Sequence, residues 1–406
     1  MQTHVLDTLK ERGFIAQISH EEALYEYLKT PGVFYIGFDP TADSLHVGHL
    51  FQMVLMAHMQ KAGHRPIALL GGGTGMVGDP SGRTDMRALM TPDVIAHNVN
   101  RFRGQMSILL DFSEGKALVE DNASWLLPLN YIEFLREIGS VFSVNKMLTA
   151  EAYKLRLEKG LTFLEFNYQL MQAYDYLELF RRYDCRLQVG GNDQWSNILA
   201  GIDLVRRKEQ AEVYGLTTNL LVLASGEKMG KSLKGAVWLD GEKTPPFDFY
   251  QHWRNSDDEM VELLLKRLTF LPLDEIAALC AEEGAALNEA KRTLAFELTK
   301  MVHGEATAKE AEATAKALFT GAGSTENMDT YRLKDADVGQ TLLDVLTEAG
   351  LFPSKSEGRR LINQGGVQFN GERVDDPFMA LEKDLFDAGE AIVRRGKKVH
   401  LKLLLP

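Results

Sequence analysis

The stretch from Phe34 to Leu50, FYIGFDPTADSLHVGHL, constrains this chain more than any other. Val33 to Phe38 is a short apolar run of strand length. Asp39-Pro40 breaks it, because a residue before proline is pushed out of the α region. Gly48-His49-Leu50 then opens a helical pattern that runs to about Gly63. The segment therefore reads as a strand, a sharp turn and a helix N-terminus carrying two imidazoles, His46 and His49. A helix N-terminus favours anions, since its first N–H groups lack partners and its dipole end is positive. Gly48 lets a ligand come close to the backbone. Two histidines and the Thr41 hydroxyl at such a point suit charge building on a phosphoryl group. The competing expectation is a capped helix with two surface histidines.

Pro66 to Leu70 is fully apolar and suits a buried parallel strand. It empties into Gly71-Gly72-Gly73-Thr74-Gly75 and then Gly78-Asp79-Pro80-Ser81-Gly82-Arg83. Strand, helix, strand and glycine loop predict a Rossmann-like, doubly wound α/β sheet. The glycines follow neither the dinucleotide fingerprint nor a P-loop. Asp79 and Arg83 mark the loop as polar at the carboxyl end of a strand, where such folds bind ligands. Thr91-Pro92 starts another helix, and Ala117 to Val119 is a further strand candidate. In LTFLEFNYQLMQAYDYLELF, Tyr168, Gln172 and Asp175 share one helical face, lining a site or facing solvent. Arg186 to Val189 is a strand that ends in Gly190-Gly191-Asn192-Asp193-Gln194-Trp195, short polar groups on a close backbone that suit a ribose or base. Ser225 to Ser232, SGEKMGKS, sets Lys228 and Lys231 around Met229 as a cationic loop. Ser19 with Glu22 reads as a capping box.

The net charge of −12 argues against general nucleic-acid binding, but its distribution is uneven. From Gln340 onward ten Lys/Arg balance ten Asp/Glu, so the acidic excess lies before that point. This tail predicts two helices, the second capped by Ser356, leading into a small α+β sheet with an Asn370-Gly371 hairpin. Arg359, Arg360, Arg394, Arg395, Lys397 and Lys398 give it a local basic face suited to RNA. The predicted organisation is a catalytic domain over 1–225 with a helical insertion at about 120–183, then a lysine loop and helical domain over 226–320. A linker over 321–339 and the tail over 340–406 follow. Cys185 and Cys280 match no metal or redox spacing. No transmembrane span or signal peptide is expected, and the plain expectation is the cytoplasm.

His46-Val47-Gly48-His49 and Lys228-Met229-Gly230-Lys231-Ser232 resemble the two signatures of class I aminoacyl-tRNA synthetases, in the right order. YIGFDPTADSLHVGH, GDPSGR, FNYQLMQAYDY and VGGNDQW resemble the bacterial tyrosine-specific family, and the tail resembles an S4-type RNA-binding domain. The resemblance implies ATP, magnesium carried with it, L-tyrosine and tRNA(Tyr) as partners, no dedicated protein metal site, and a homodimer. It implies that Tyr35 and Asp175 bond the substrate phenol, and that Tyr168, Gln172 and Asp79 hold its ammonium. Gln188 and Gln194 would complete that pocket. Gly37, Asp39, His46, Gly48, His49, Gly191, Asp193 and Met229 would line the ATP side. Thr41, His46, Lys228, Lys231 and Ser232 would meet the phosphates, with Arg83 and Arg87 as a further basic pair. Ile36 and Gln52 stand where some relatives place small polar ribose contacts, and Arg83 is a lysine in some. The competing functions are tryptophan activation, against which Tyr35 with Asp175 argues, and a catalytically silent RNA-binding paralogue.

Overall fold

The computed structural model describes residues 3–81, 90–219, 231–232, 235–281, 287–320, 330–386, 389–396 and 399–405. The chain forms two compact units, Met1–Lys309 and Glu310–Pro406.

The first unit is built on β1 (Ile15–Ile18), β2 (Val33–Phe38), β3 (Arg65–Leu70), β4 (Leu118–Asp121), β5 (Leu187–Gly191) and β6 (Tyr214–Thr218), in the order β1-β6-β5-β2-β3-β4. Every pair is parallel except β1 with β6. β3 is buried from Pro66 to Leu70, as a continuous apolar run covered on both faces should be. Helices α1 (Val47–Lys61), α2 (Pro92–Met106), α3 (Tyr168–Tyr183) and α4 (Trp195–Glu209) belong to this unit. Thr91 caps α2 by accepting from the Val94 N–H, with proline in the first turn. The chain runs from β2 through β3 to β4 on one side, then returns to β5 and β6 on the other. The winding direction therefore reverses between β2 and β5, which opens a crevice at their carboxyl ends.

Ser19 takes a different role from the expected cap. Its hydroxyl accepts from the Gly215 N–H at 3.0 Å. The helix Glu21–Tyr27 starts after His20 without a side-chain cap. A backbone N–H on the neighbouring β6 competes for the same oxygen and wins.

Short helices at Tyr131–Glu137, Val144–Leu148, Glu151–Lys159 and Phe163–Phe166 form an insertion before α3. It is pinned by a buried ion pair, Arg156 Nε to Glu165 Oε1 at 2.9 Å. After β6, β7 (Lys231–Ser232) and β8 (Gly235–Ala236) pair antiparallel. Helices α5 (Pro246–Arg254), α6 (Val261–Leu268) and α7 (Leu287–His303) then bury Phe249, Trp253, Leu264, Leu294 and Leu298. The buried Arg12 guanidinium donates to the carbonyls of Lys266 (2.9 Å), Thr269 (3.0 Å) and Leu271 (2.6 Å), around the end of α6. Carbonyls at a helix C-terminus lack internal partners and favour a cation, so one side chain fastens these helices to the N-terminal segment.

The second unit holds β9 (Thr330–Arg332), β10 (Val367–Phe369), β11 (Glu372–Arg373), β12 (Glu390–Arg395) and β13 (Val399–Leu404), in the order β11-β10-β12-β13-β9. Its core contains Leu346, Phe352, Ile362, Val393 and Leu403, with α8 (Leu342–Glu348) and α9 (Lys355–Asn363) packed on the sheet. The segment expected as a linker supplies β9, which pairs parallel with β13. Ser354, not Ser356, caps α9, accepting from the Glu357 N–H. Asn370 and Gly371 have φ of 49° and 86°, the two positive values that a tight hairpin requires. Among the described residues no helix is long and apolar enough to cross a membrane.

Candidate active site

The site lies at the carboxyl ends of β2 and β5. Tyr35 and Gln188 are register partners across these strands, so their side chains emerge on the same face. Tyr35 is 1 % exposed, and its hydroxyl has no hydrogen-bond partner among the described residues. The Gln188 Oε1 is likewise buried and unpartnered. A buried polar group left unpaired is costly, and folded proteins rarely keep two together without a ligand to satisfy them.

Asp175 reaches this floor from α3. Its Oδ2 accepts from Asn122 Nδ2 at 2.9 Å and its Oδ1 from Trp125 Nε1 at 2.7 Å. Burial pushes its carboxyl up to about 8, against the two donors, which favour the ionised form. Burial, then the neighbouring Asp175 charge, raises the Tyr35 phenol well above its ordinary value. Asn122 Nδ2 also donates to Thr74 Oγ1 at 3.0 Å, and Thr74 Oγ1 donates to Asp39 Oδ1 at 2.9 Å. The Tyr168 hydroxyl donates to Asp39 Oδ2 at 3.0 Å. One hydrogen-bonded chain thus joins the end of β2, the glycine loop after β3, the end of β4 and α3.

A second network faces it. Asp79 Oδ2 accepts from Gln194 Nε2 at 2.6 Å and its Oδ1 from the Ser81 N–H at 2.9 Å. Burial raises this carboxyl to about 6. Asn197 Nδ2 approaches Gln172 Oε1 (3.0 Å), Ser81 Oγ (3.1 Å) and Gln194 Oε1 (3.2 Å). Tyr168, Gln172 and Asp175 therefore line this pocket together and do not form a solvent stripe. Asn122, Trp125, Thr74 and Asn197 were not singled out in the sequence. Their only signal was position, since Asn122 follows a strand end and Thr74 sits in the glycine loop.

At the start of α1 the two histidines cap the helix reciprocally. His46 Nδ1 accepts from the Gly48 N–H at 3.0 Å, and His49 Nδ1 accepts from the His46 N–H at 3.1 Å. Both rings thus spend Nδ1 as an acceptor, which assigns the proton of the neutral ring to Nε2. Each imidazole is a donor at that edge. The rings stack with centroids 3.9 Å apart. Glycine at 48 also has a reason within the chain: a Cβ there would sit 2.8 Å from His46 Cε1. At Gly37 a Cβ would meet nothing within 4 Å, so the end of β2 is open. Gln52 Nε2 donates to Thr218 Oγ1 at 2.9 Å and leaves a buried, unpartnered Oε1. Gly191 and Asp193 stand at the end of β5, and Thr41 is exposed on the turn after β2.

Arg83, Arg87, Lys228 and Met229 lie outside the described residues. Lys231 and Ser232 are described by their backbone, in β7. In the second unit Arg359 lies over the Phe378 ring at 5.1 Å, and Arg360 pairs with Glu357 at 2.6 Å. Arg394 Nε donates to the Gly396 carbonyl, and Arg395 donates to that of Leu351. Lys397 and Lys398 lie outside the described residues.

A doubly wound sheet with paired histidines at the first helix N-terminus, beside a pocket of buried phenol, carboxyl and amide groups, is the architecture of a class I tRNA synthetase. Residues 28–320 match the family model described as tRNA synthetases class I (W and Y). Residues 322–403 match the tyrosine–tRNA ligase SYY-like C-terminal domain. A tyrosine–tRNA ligase of Caldanaerobacter subterraneus is 56% identical over 402 residues, 99% of each chain. One from Clostridium botulinum is 58% identical over 398 residues, 98% of each. A C-terminally truncated mitochondrial tyrosyl-tRNA synthetase from Aspergillus nidulans superposes with a TM-score of 0.71 at 30% identity, covering 78% of this chain and 95% of that one. A tryptophanyl-tRNA synthetase from Encephalitozoon cuniculi shares the fold alone, at 13% identity and a TM-score of 0.56. The chain belongs to the tyrosine–tRNA ligase family.

The raised carboxyls make stability pH-dependent. Folding lifts Asp79 and Asp175 from 3.8 to about 6 and about 8, so the folded protein holds more protons than the unfolded chain between those limits. Stability should therefore fall as pH rises from about 4 to about 8, by roughly 9 kcal/mol at most. Urea unfolding at pH 5, 6.5 and 8 checks this. Asp175→Asn should flatten the part above about pH 6, and an unchanged slope in that variant contradicts the assignment.

Proposed function

We propose that the chain activates L-tyrosine with ATP, giving tyrosyl-adenylate and pyrophosphate, and then transfers tyrosine to the 3′ end of tRNA(Tyr). The observation that carries this reading is the buried, unpartnered Tyr35 hydroxyl beside the buried Asp175 carboxyl. A phenol seated there accepts from Tyr35 and donates to Asp175. Phenylalanine leaves the Tyr35 hydroxyl unpaired and makes no hydrogen bond to Asp175. The substrate ammonium faces Asp79, Tyr168 and Gln172, with Gln188 and Gln194 closing the pocket. Asp79 binds it as a carboxylate, and the incoming cation favours that form.

ATP lies along Gly37, Asp39, Gly48, Gly191 and Asp193. The tyrosine carboxylate attacks the α-phosphorus and the bond to the β-phosphate oxygen breaks. This needs no protein nucleophile, only alignment and charge stabilisation. Thr41 and the Nε2–H edges of His46 and His49 serve the phosphate side. Lys228, Met229, Lys231 and Ser232, with Arg83 and Arg87, complete it. Magnesium enters with ATP and takes phosphate oxygens. In the second step a hydroxyl of the terminal ribose attacks the acyl carbon and AMP leaves. Arg359, Arg360, Arg394, Arg395, Lys397 and Lys398 contribute the RNA-facing charge of the tail, in the cytoplasm. Amino-acid-dependent pyrophosphate exchange tests the reading directly. Tyrosine should drive exchange and tryptophan should not; exchange with tryptophan alone, or none with tyrosine, overturns it.

The working form is a homodimer joined through the insertion. Leu127, Tyr131, Ile132, Val144 and Phe163 are large apolar side chains more than half exposed there, a cluster that marks an interaction surface. The intact chain should sediment at twice its monomer mass, and Phe163→Asp should shift it toward monomer. Sedimentation as a monomer at micromolar concentration contradicts the proposal.

A further inference from the structure

The turn that carries Thr41 and His46 is gripped from two sides by residues outside the pocket. On one side stands α2. Its residues Asn98, Arg101, Phe102 and Gln105 fall on one helical face. Asn98 Nδ2 donates to the Pro40 carbonyl at 2.9 Å, which fixes the peptide leading into Thr41. Arg101 Nε donates to the Asp43 carbonyl at 3.4 Å. Gln105 Oε1 accepts from the Leu45 N–H at 2.7 Å, and its Nε2 donates to Ser44 Oγ at 3.0 Å. The Phe102 ring packs on His49 with centroids 5.6 Å apart.

On the other side lies the strand-like segment 237–239. The Val47 N–H donates to the Val237 carbonyl at 3.0 Å, and the Leu239 N–H donates to the Leu45 carbonyl at 2.9 Å. His46 and Trp238 are thereby bridge partners. Val237 and Leu239 are buried, whereas Trp238 is half-buried and sets its ring 6.1 Å from the His46 imidazole. Along a strand, alternate side chains point to opposite faces, so its neighbours serve the core while Trp238 serves the histidine. Trp238 is itself held. Its N–H donates to Thr244 Oγ1 at 2.9 Å, and Lys243 Nζ lies over the ring at 5.4 Å. Lys243 also pairs with Asp43 at 2.6 Å, and Arg101 pairs with Asp240. These two ion pairs lace the two sides together across the turn.

We propose that this two-sided grip sets the reach of Thr41 and His46 toward the phosphates, with Trp238 and Asn98 as positioning residues. The proposal rests on the phosphate roles given above to Thr41 and His46. The turn between Pro40 and Leu45 has no helix or strand of its own to fix it, so its geometry comes from these contacts. No hydrogen bond, ion pair or ring contact given above joins the grip to Tyr35, Asp175 or Asp79. Loosening it therefore moves the phosphate-side donors and leaves the amino-acid pocket in place. A displacement of about 1 Å costs on the order of 100-fold in rate when the contact is made in the transition state.

The test is single-turnover formation of tyrosyl-adenylate by the full chain, with tyrosine affinity measured by equilibrium dialysis. Trp238→Ala and Asn98→Ala should each slow adenylate formation by about 10- to 100-fold. Tyrosine Kd should stay within about twofold, and Trp238→Phe should restore most of the rate. A double-mutant cycle separates positioning from general loosening. In a Thr41→Ala/His46→Ala background, Trp238→Ala should cost little more. A loss that persists in full in that background overturns the proposal, as does no loss from either Trp238→Ala or Asn98→Ala. If Thr41→Ala/His46→Ala itself costs nothing, the phosphate roles fail, a result separate from failure of the grip.

Discussion

Asp175 is the group on which the pocket depends. Two hydrogen-bond donors, Asn122 and Trp125, hold a carboxyl that is 2 % exposed. Such a group is unfavourable in a protein interior unless its partners are good. Here they come from the end of β4 and the short helix Ala123–Leu126 beyond it, so the end of β4 belongs to the site. The same Asn122 amide reaches Thr74, and through it Asp39 and Tyr168. The pocket floor and the end of β2, as far as Asp39, are therefore one hydrogen-bonded body. That body sits where the sheet reverses its winding, the place where a parallel sheet leaves its strand ends uncovered.

The two ends of the proposed reaction are organised by different physics. The proposed tyrosine side is built from buried polar groups, which suits recognition of one hydroxyl. The proposed phosphate side is open at Gly37 and relies on donors at a helix start, which suits charge that appears only during reaction. His46 and His49 show how closely the second task is tied to folding. Their Nδ1 atoms cap α1, and this fixes which edge of each ring carries the proton. A Cβ at position 48 would drive into His46, so the glycine between the histidines protects the ring geometry. The antiparallel bridge between His46 and Trp238 then brings the segment following the lysine motif alongside the histidine motif.

Much of this was legible in the sequence. Periodicity located β2, α1, β3 and β5, and the family resemblance brought together the pocket residues that the fold also brings together. What escaped was local competition for hydrogen bonds. Ser19 looked like a cap until β6 offered it Gly215, and Ser354 pre-empted Ser356 by sitting three residues before an available N–H. The residues that hold Asp175 were invisible because neither periodicity nor motif spacing says which buried polar group a distant carboxyl will find. The stretch before the tail looked like a linker because three strand residues carry too little pattern to stand out. Only its pairing with β13 makes β9 a strand.

Discrimination between tyrosine and phenylalanine, measured as the ratio of kcat/KM in adenylate formation for wild type and Asp175→Ala, tests the central claim most directly. If a buried carboxyl beside Tyr35 reads the phenol, the variant should lose about 10- to 100-fold of that ratio, mostly through weaker use of tyrosine. An unchanged ratio would mean that the hydroxyl is read elsewhere, and would contradict the account.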